Sequence, residues 1–258
     1  MAKNIVFSFD DGRLDTYENA VPIMDQYGIK ATINITADFI LHAENYNCFK
    51  SANNKAMSIE QVLELYNKGF EIATHGNRHT NDPDDVRTSI KILKEWGIDK
   101  IYGFASPESE INPDNISTFK ELMDDGTISY IRSGFQVRKR GLLYSALYVI
   151  QNVTKSKNLF YRLNKKSVFG NDEKQTLLYG ISVTKDTTVD QILYFIDKMP
   201  ENSTAILIFH SVLESDDLGL GKDKWYWNVE RFKELCKELS NKKCGVIKNS
   251  DFYKTVAL

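Results

Sequence analysis

No stretch of this 258-residue sequence approaches the roughly 20 consecutive apolar residues that a membrane-spanning helix needs, so a helical bilayer span is excluded. Neither sign of charge dominates. Thirty-three Lys and Arg against 35 Asp and Glu leave a net charge of −2, which argues against nucleic acid as a partner. Cysteine is sparse: Cys48, Cys236 and Cys244 form an odd, widely separated set without zinc-finger spacing. That set excludes a disulfide framework and suits a reducing compartment with free, mostly packed thiols. Met1–Val6 runs straight into an apolar stretch with no room for a secretory signal, so the expected location is the cytoplasm. Internal repeats and low-complexity linkers are also lacking, and a single domain over residues 1–258 is the economical reading.

Histidine is scarce too, and its placement is informative. Two of the four fall in one six-residue stretch, Thr74-His75-Gly76-Asn77-Arg78-His79. A third, His210, ends the apolar run Ala205–Phe209. Burying an unpaired imidazole costs free energy, so a histidine at the end of such a run needs a partner or a task. His42 reads as an ordinary loop residue. The other notable cluster, Ser8-Phe9-Asp10-Asp11-Gly12, follows the run Asn4–Phe7. Both clusters therefore sit where a buried strand ends, the position at which α/β folds place their chemistry.

Strand and helix periods alternate along the chain. Strands are expected at 4–9, 30–36, 70–74, 100–105, 128–132, 177–183, 203–209 and 243–247. Helices are expected at 15–27, 58–68, 84–96, 114–124, 188–199 and 227–240. Gly28 stops the first helix, and Ser58 with Gln61 forms a capping box for the second. Seven or eight parallel strands with helices between them give a barrel-like count.

One carboxylate and two imidazoles converging at strand ends make a three-ligand metal site with open positions, a catalytic arrangement rather than a structural one. Adjacent aspartates on an extended backbone point in opposite directions, which suits one to a metal and the other to a substrate. His75 and His79, four apart, share a face if they lie on a helical turn; the plain alternative is two solvated histidines on a surface loop.

Ser-Phe-Asp-Asp-Gly, Thr-His-x-x-x-His and then Leu-x-x-His at 207–210, in that order, resemble the polysaccharide deacetylase family (NodB-homology domain, carbohydrate esterase family 4). The resemblance is strongest over residues 4–110 and returns at 200–210. It implies a distorted (β/α)7–8 barrel, here with a basic insertion near residues 133–170. It also implies one divalent metal, zinc first, with cobalt, nickel, manganese or iron compatible. By position, Asp11, His75 and His79 would be the ligands, Asp10 the general base and His210 the general acid.

The sequence departs from the family at an Arg-x-Pro-aromatic-Gly motif. Residues 105–109 read Ala-Ser-Pro-Glu-Ser, keeping Pro107 and losing the arginine that orients the base. Arg132, at the end of the next strand, is the expected replacement, the alternative being that it merely starts the basic insertion. Pro107, Glu108 and Trp225 are the expected substrate contacts, with Trp225 as a stacking face for a sugar ring. Trp227 is read as a wedge against the last helix, and Asp216, Asp217 and Gly219 as a lid.

Between Arg132 and Lys166 the chain carries nine Lys or Arg and no acidic residue, around the apolar run Leu142–Ile150. Two readings stand side by side. One is a basic amphipathic element that meets an anionic membrane, at its inner face, or a phosphate-bearing substrate. The other is a helical excursion packed on the barrel with a solvated basic face. The expected function is N-deacetylation of an amino sugar in a glycan, lipid-linked or nucleotide-linked saccharide, within surface-polysaccharide synthesis. Hydrolysis of a cyclic imide or ureide on the same fold and a non-catalytic carbohydrate-binding role are the alternatives.

Overall fold

A computed structural model of the chain describes residues 3–46, 55–134, 141–171, 175–214, 224–242 and 244–255. Cys48 and the expected lid at 216–219 lie outside the described residues. The strands are β1 (Asn4–Phe9), β2 (Thr32–Ile35), β3 (Glu71–Thr74), β4 (Gly103–Ala105), β5 (Tyr130–Gly134), β6 (Val168–Gly170), β7 (Leu177–Ser182), β8 (Ser203–Phe209), β9 (Ser211–Leu213), β10 (Tyr226–Asn228) and β11 (Gly245–Ile247). The helices are α1 (Val21–Gln26), α2 (Ala37–Leu41), α3 (Ile59–Asn67), α4 (Pro83–Glu95), α5 (Lys120–Asp124), α6 (Leu142–Thr154), α7 (Lys157–Asn164), α8 (Val189–Lys198), α9 (Val229–Asn241) and α10 (Asn249–Thr255).

Strands β1-β2-β3-β4-β5-β7-β8 lie side by side in parallel, and a ladder from Asn4↔Thr204 to Phe9↔Phe209 closes β8 onto β1. The result is a seven-stranded α/β barrel, as expected, with two extra strands wedged in at one end. β11 occupies the first half of β1, from Asn4↔Gly245 to Val6↔Ile247, leaving β2 only Ser8 and Phe9. β6 runs antiparallel to Ser203–Ala205 of β8, and β7 takes over from Ile206. These splices are the distortion.

Period-two alternation sorts the strand residues. Ile5, Phe7, Phe9, Leu207 and Phe209 belong to the core formed with the helices, where the Phe209 ring lies 5.3 Å from Phe7, 5.2 Å from Phe9 and 5.5 Å from Phe232 of α9. Each such fully buried ring stabilises the fold by about 2–3 kcal/mol. Val6, Tyr130, Leu178, Ile206 and Ile208 form a second cluster with Phe252 of α10. Backbone N–H groups of that helix also reach inward, Ser250 to Glu71 Oε2 (2.8 Å) and Asn249 to Thr32 Oγ1 (3.0 Å).

The Ser58–Gln61 capping box is present, and Thr188 with Gln191 forms another at α8. The helix expected over 15–27 opens instead as a π-helical stretch, Thr16–Ala20, before α1. There Thr16 Oγ1 donates to the carbonyl of His210 (3.3 Å) and Asn19 Nδ2 to that of Val212 (2.8 Å), and these ties to the end of β8 accompany the widened turn. Trp227 lies on β10 rather than in the last helix, which starts at Val229 behind an Asn228 N-cap. It is buried and donates through Nε1 to the Thr187 carbonyl. Cys236 and Cys244 are free, and burial pushes their thiols up to about 12 and about 11.

The insertion is a helical hairpin. Tyr144, Leu147 and Tyr148 of α6 pack with Leu163 of α7 and with Tyr179 of β7. The outward side of α6 is apolar rather than basic, because every residue from Leu142 to Thr154 is uncharged. No helix among the described residues is long and apolar enough to cross a membrane.

Candidate metal and active site

Asp10 and Asp11 leave β1 where the chain stops being extended. Asp11 is left-handed (φ 78°) and Gly12 follows at 85°. The two carboxylates therefore diverge through a sharp turn, not through the strand alternation expected from the sequence. The His75–His79 spacing is likewise a loop and not a helical turn, with Gly76 at φ 80° and His79 at 58°. A Cβ on Gly76 would come within 2.9 Å of the Thr80 carbonyl, so no side chain fits there. Asp85, in the first turn of α4, accepts from the backbone N–H of Asn77 (2.9 Å) and Arg78 (3.0 Å) and fixes the loop. The two imidazoles consequently meet edge to face, with ring centroids 4.8 Å apart.

Donor atoms of Asp11, His75 and His79 lie within 4.8 Å of one another. The nearest pairs are His75 Nε2 to Asp11 Oδ1 at 3.4 Å and His79 Nε2 to the same oxygen at 3.7 Å. A tetrahedron with metal–ligand bonds of about 2.1 Å has edges of about 3.4 Å, so these residues suit a divalent cation. His75 Nδ1 sits 2.7 Å from the Ala105 carbonyl, which can only accept; Nδ1 therefore carries the proton and the Nε2 lone pair faces the cluster. Asp11 divides its oxygens in the same way. Oδ2 accepts from Arg13 Nε (2.7 Å), whereas Oδ1 is buried with no hydrogen-bond partner. An orphaned buried carboxylate oxygen between two imidazoles is the observation that best fits an ion.

Electrostatics favour ligation. Burial would raise the Asp11 carboxyl, but Arg13, with His75 and His210, holds it well below the usual carboxylate range. Burial, reinforced by His75, pushes His79 down to about 4, so its ring is neutral near pH 7. Burial also lowers His210.

At the same strand end, Asp10 Oδ1 accepts from Arg132 Nη2 and from Asn34 Nδ2 (2.8 Å), while Oδ2 lies 3.8 Å from His210 Nε2. Arg132 is buried within β5 and faces Asp10, so it is no part of the solvated basic surface. His210 follows β8, and its ring lies 5.0 Å from that of Trp225. Glu108, left-handed at φ 52°, and Trp225 line a cavity of about 450 Å³ above the cluster, a size suited to a small-molecule ligand. Pro107 is buried instead of lining it, with its carbonyl accepting from Asn81 Nδ2 (3.0 Å). The reason is local: Pro107 is fixed in a 3-10 turn whose carbonyl faces Asn81, and only the next residue turns outward.

The model of the polysaccharide deacetylase family aligns with residues 1–122, a little less than half of the chain. A curated relative, YxkH of Bacillus subtilis (strain 168), is named for polysaccharide deacetylases and is 31% identical over 77 residues. That stretch is 30% of this chain and 24% of YxkH. Among solved structures, a family 4 acetyl xylan esterase from Clostridium thermocellum in complex with a cobalt ion superposes with a TM-score of 0.52 at 13% identity, over 97% of this chain and 90% of that one. The peptidoglycan deacetylase PdaC from Bacillus subtilis gives 0.52 at 11% identity, over 98% and 91%. These two likenesses show that the chain shares their fold over nearly its whole length, beyond residues 1–122 that the family model reaches.

Three residues escaped the sequence reading. Arg13 directly follows the Asp-Asp-Gly turn and also reaches Ser211 Oγ (2.9 Å). Asn34 was legible as a polar residue inside an apolar strand. Asp85 looked like ordinary first-turn acid on a helix. The insertion contributes as well: Tyr148, Gln151 and Asn152 of α6 and Phe160 and Asn164 of α7 wall the cavity.

Proposed function

We propose that this protein is a metal-dependent hydrolase that removes the N-acetyl group from an amino sugar of a saccharide. The observation that carries the proposal is the orphaned Asp11 Oδ1 between His75 and His79, one residue from a carboxylate held on one oxygen and open on the other. A divalent cation held by Asp11, His75 and His79 would supply Lewis acidity toward an acetamide carbonyl and its attacking water.

The chain's own groups divide the proton work. Arg132 and Asn34 fix Asp10 Oδ1, so Oδ2 is the free basic atom and takes a proton from the attacking water. Burial keeps His210 neutral at rest, so its acid role requires a proton gained during turnover. Asp10 Oδ2, 3.8 Å away, is placed to supply it. His210 then protonates the nitrogen as the C–N bond breaks, without which an amine leaves poorly. Free acetate and the amino sugar are the products. Trp225 offers a ring face to the sugar, and Glu108 offers hydrogen-bond acceptors at the rim.

The test is acetate release from a panel of nucleotide-linked, lipid-linked and free N-acetylhexosamines, with chelator and with zinc, cobalt, nickel, manganese or iron added. Metal-dependent acetate release from an N-acetyl sugar is the expected result. Release from O-acetyl esters alone, ring opening of cyclic imides alone, or metal binding without turnover would each replace this reading.

A further inference from the structure

Helix α6 presents a surface that neither the barrel nor the cavity requires. Five of the six large apolar side chains exposed among the described residues lie on it: Leu142 (91%), Leu143 (70%), Val149 (54%), Ile150 (47%) and Val153 (77%). With Ala146, also exposed, they recur at i, i+1, i+4, i+7, i+8 and i+11 and fall within about a third of the helix circumference. The opposite side is fully used, since Tyr144 and Leu147 pack inward while Tyr148 and Gln151 wall the cavity. An apolar stripe of this length is rare on a water-facing helix.

Charge at one end of the stripe says what covers it. Leu163 of α7 packs against Tyr144, Leu147 and Tyr148, so α7 runs back along α6 and brings exposed Lys165 and Lys166 toward the Leu142 end. In the sequence Arg138-Lys139-Arg140 immediately precedes that same end. From Ser133 to Lys166 there are eight bases and no carboxylate, in a chain whose net charge is −2. Lys155 and Lys157, at the other end, are already paired with Asp186 and Asp190. An apolar helix face with basic residues gathered toward one end complements an apolar layer bounded by anionic headgroups.

We propose that the outer face of α6 docks on an anionic lipid surface. The helix then lies in the interface with Leu142, Leu143, Val149, Ile150 and Val153 in the acyl boundary, Lys165 and Lys166 toward the headgroups, and the cavity on its inner side.

Sedimentation with vesicles tests this without any substrate, so the result stands apart from the deacetylase reading. The intact chain is spun with vesicles of phosphatidylglycerol and phosphatidylcholine, and with phosphatidylcholine alone. Binding to the anionic vesicles is expected to be about tenfold stronger, and to weaken as salt rises. The variant Leu143→Ser/Val149→Ser/Val153→Ser, whose side chains are exposed, should keep the wild-type melting temperature and lose about tenfold or more in vesicle binding. Lys165→Glu/Lys166→Glu should lose the anionic preference. No binding to anionic vesicles, equal binding to both compositions, or full binding by the serine variant would overturn the proposal. A concentration-dependent dimer in light scattering that the serine variant abolishes, with no vesicle binding, would also overturn it by assigning the face to a second copy.

Discussion

Arg132→Met isolates the contact between Arg132 and Asp10. Arg132 of β5 and Asp10 at the end of β1 meet although their strands are not adjacent in the barrel, and both are buried, with side-chain exposures of 1% and 4%. The substitution keeps most of the side-chain volume but leaves Asp10 with the Asn34 amide as its remaining named donor. Removing one member of a buried ion pair costs about 3–5 kcal/mol, because the other is stranded away from water. In a chain of this size each kcal/mol moves the melting temperature by about 2–4 °C, so a fall of roughly 10 °C is expected. Asp10→Asn strands the guanidinium instead and costs a similar amount. The double variant strands neither charge and should be more stable than the sum of the singles predicts, by at least about 2 kcal/mol. Denaturation of all four proteins, with and without metal, measures that coupling. Additivity within about 0.5 kcal/mol would refute the idea that these two side chains form one energetic unit. Turnover gives a second readout. Arg132→Met should retain its metal while losing about 100-fold in kcat, and Arg132→Lys should not restore it, since an ammonium does not reproduce the guanidinium fork.

His75→Ala or His79→Ala should reduce metal content from about one ion per chain to near zero, measured by elemental analysis, whereas Asp10→Asn should keep its metal and lose turnover. A fully loaded His79→Ala protein would remove that residue from the ligand set. In metal-free protein, unfolded His79 takes up a proton near pH 6.5, whereas the folded ring resists until about 4. Stability should therefore fall as pH drops through this window, by up to about 3 kcal/mol, and His79→Ala should flatten the slope; an unchanged slope in the variant would contradict it. Gly103→Ala would drive a Cβ to within 2.0–2.5 Å of the buried Tyr130 ring, whose hydroxyl is fixed on Glu71. A loss of about 3 kcal/mol or more is expected in urea denaturation, and a wild-type midpoint would show that the ring has room to move.

The strands were legible where they are short buried apolar runs, as in β1 and β8, and the aspartate and histidine clusters were legible because they end such runs. The local geometry of those clusters was not. Period-based reasoning assumes extended or helical backbone, and Asp11, Gly76 and His79 adopt left-handed conformations that only the completed turn demands. Strand β5 runs two residues later than its pattern indicated, Tyr130–Gly134 in place of 128–132, because its ends are set by pairing with β4 and β7. The insertion had a visible charge bias. Which side of its first helix faced the barrel depended on Leu163 and Tyr179, residues distant enough that no local pattern contains them.

The seam that closes the barrel joins β1 directly to β8, residue for residue up to Phe9 and Phe209, and the Asp10 N–H donates to the Phe209 carbonyl (2.9 Å). The groups assigned to opposite ends of the proton's journey, Asp10 and His210, are thus held at a fixed spacing by ladder hydrogen bonds. The helical hairpin across the cavity shares no strand pairing with that seam. The wall that shapes the cavity can therefore change without altering the register that spaces Asp10 and His210.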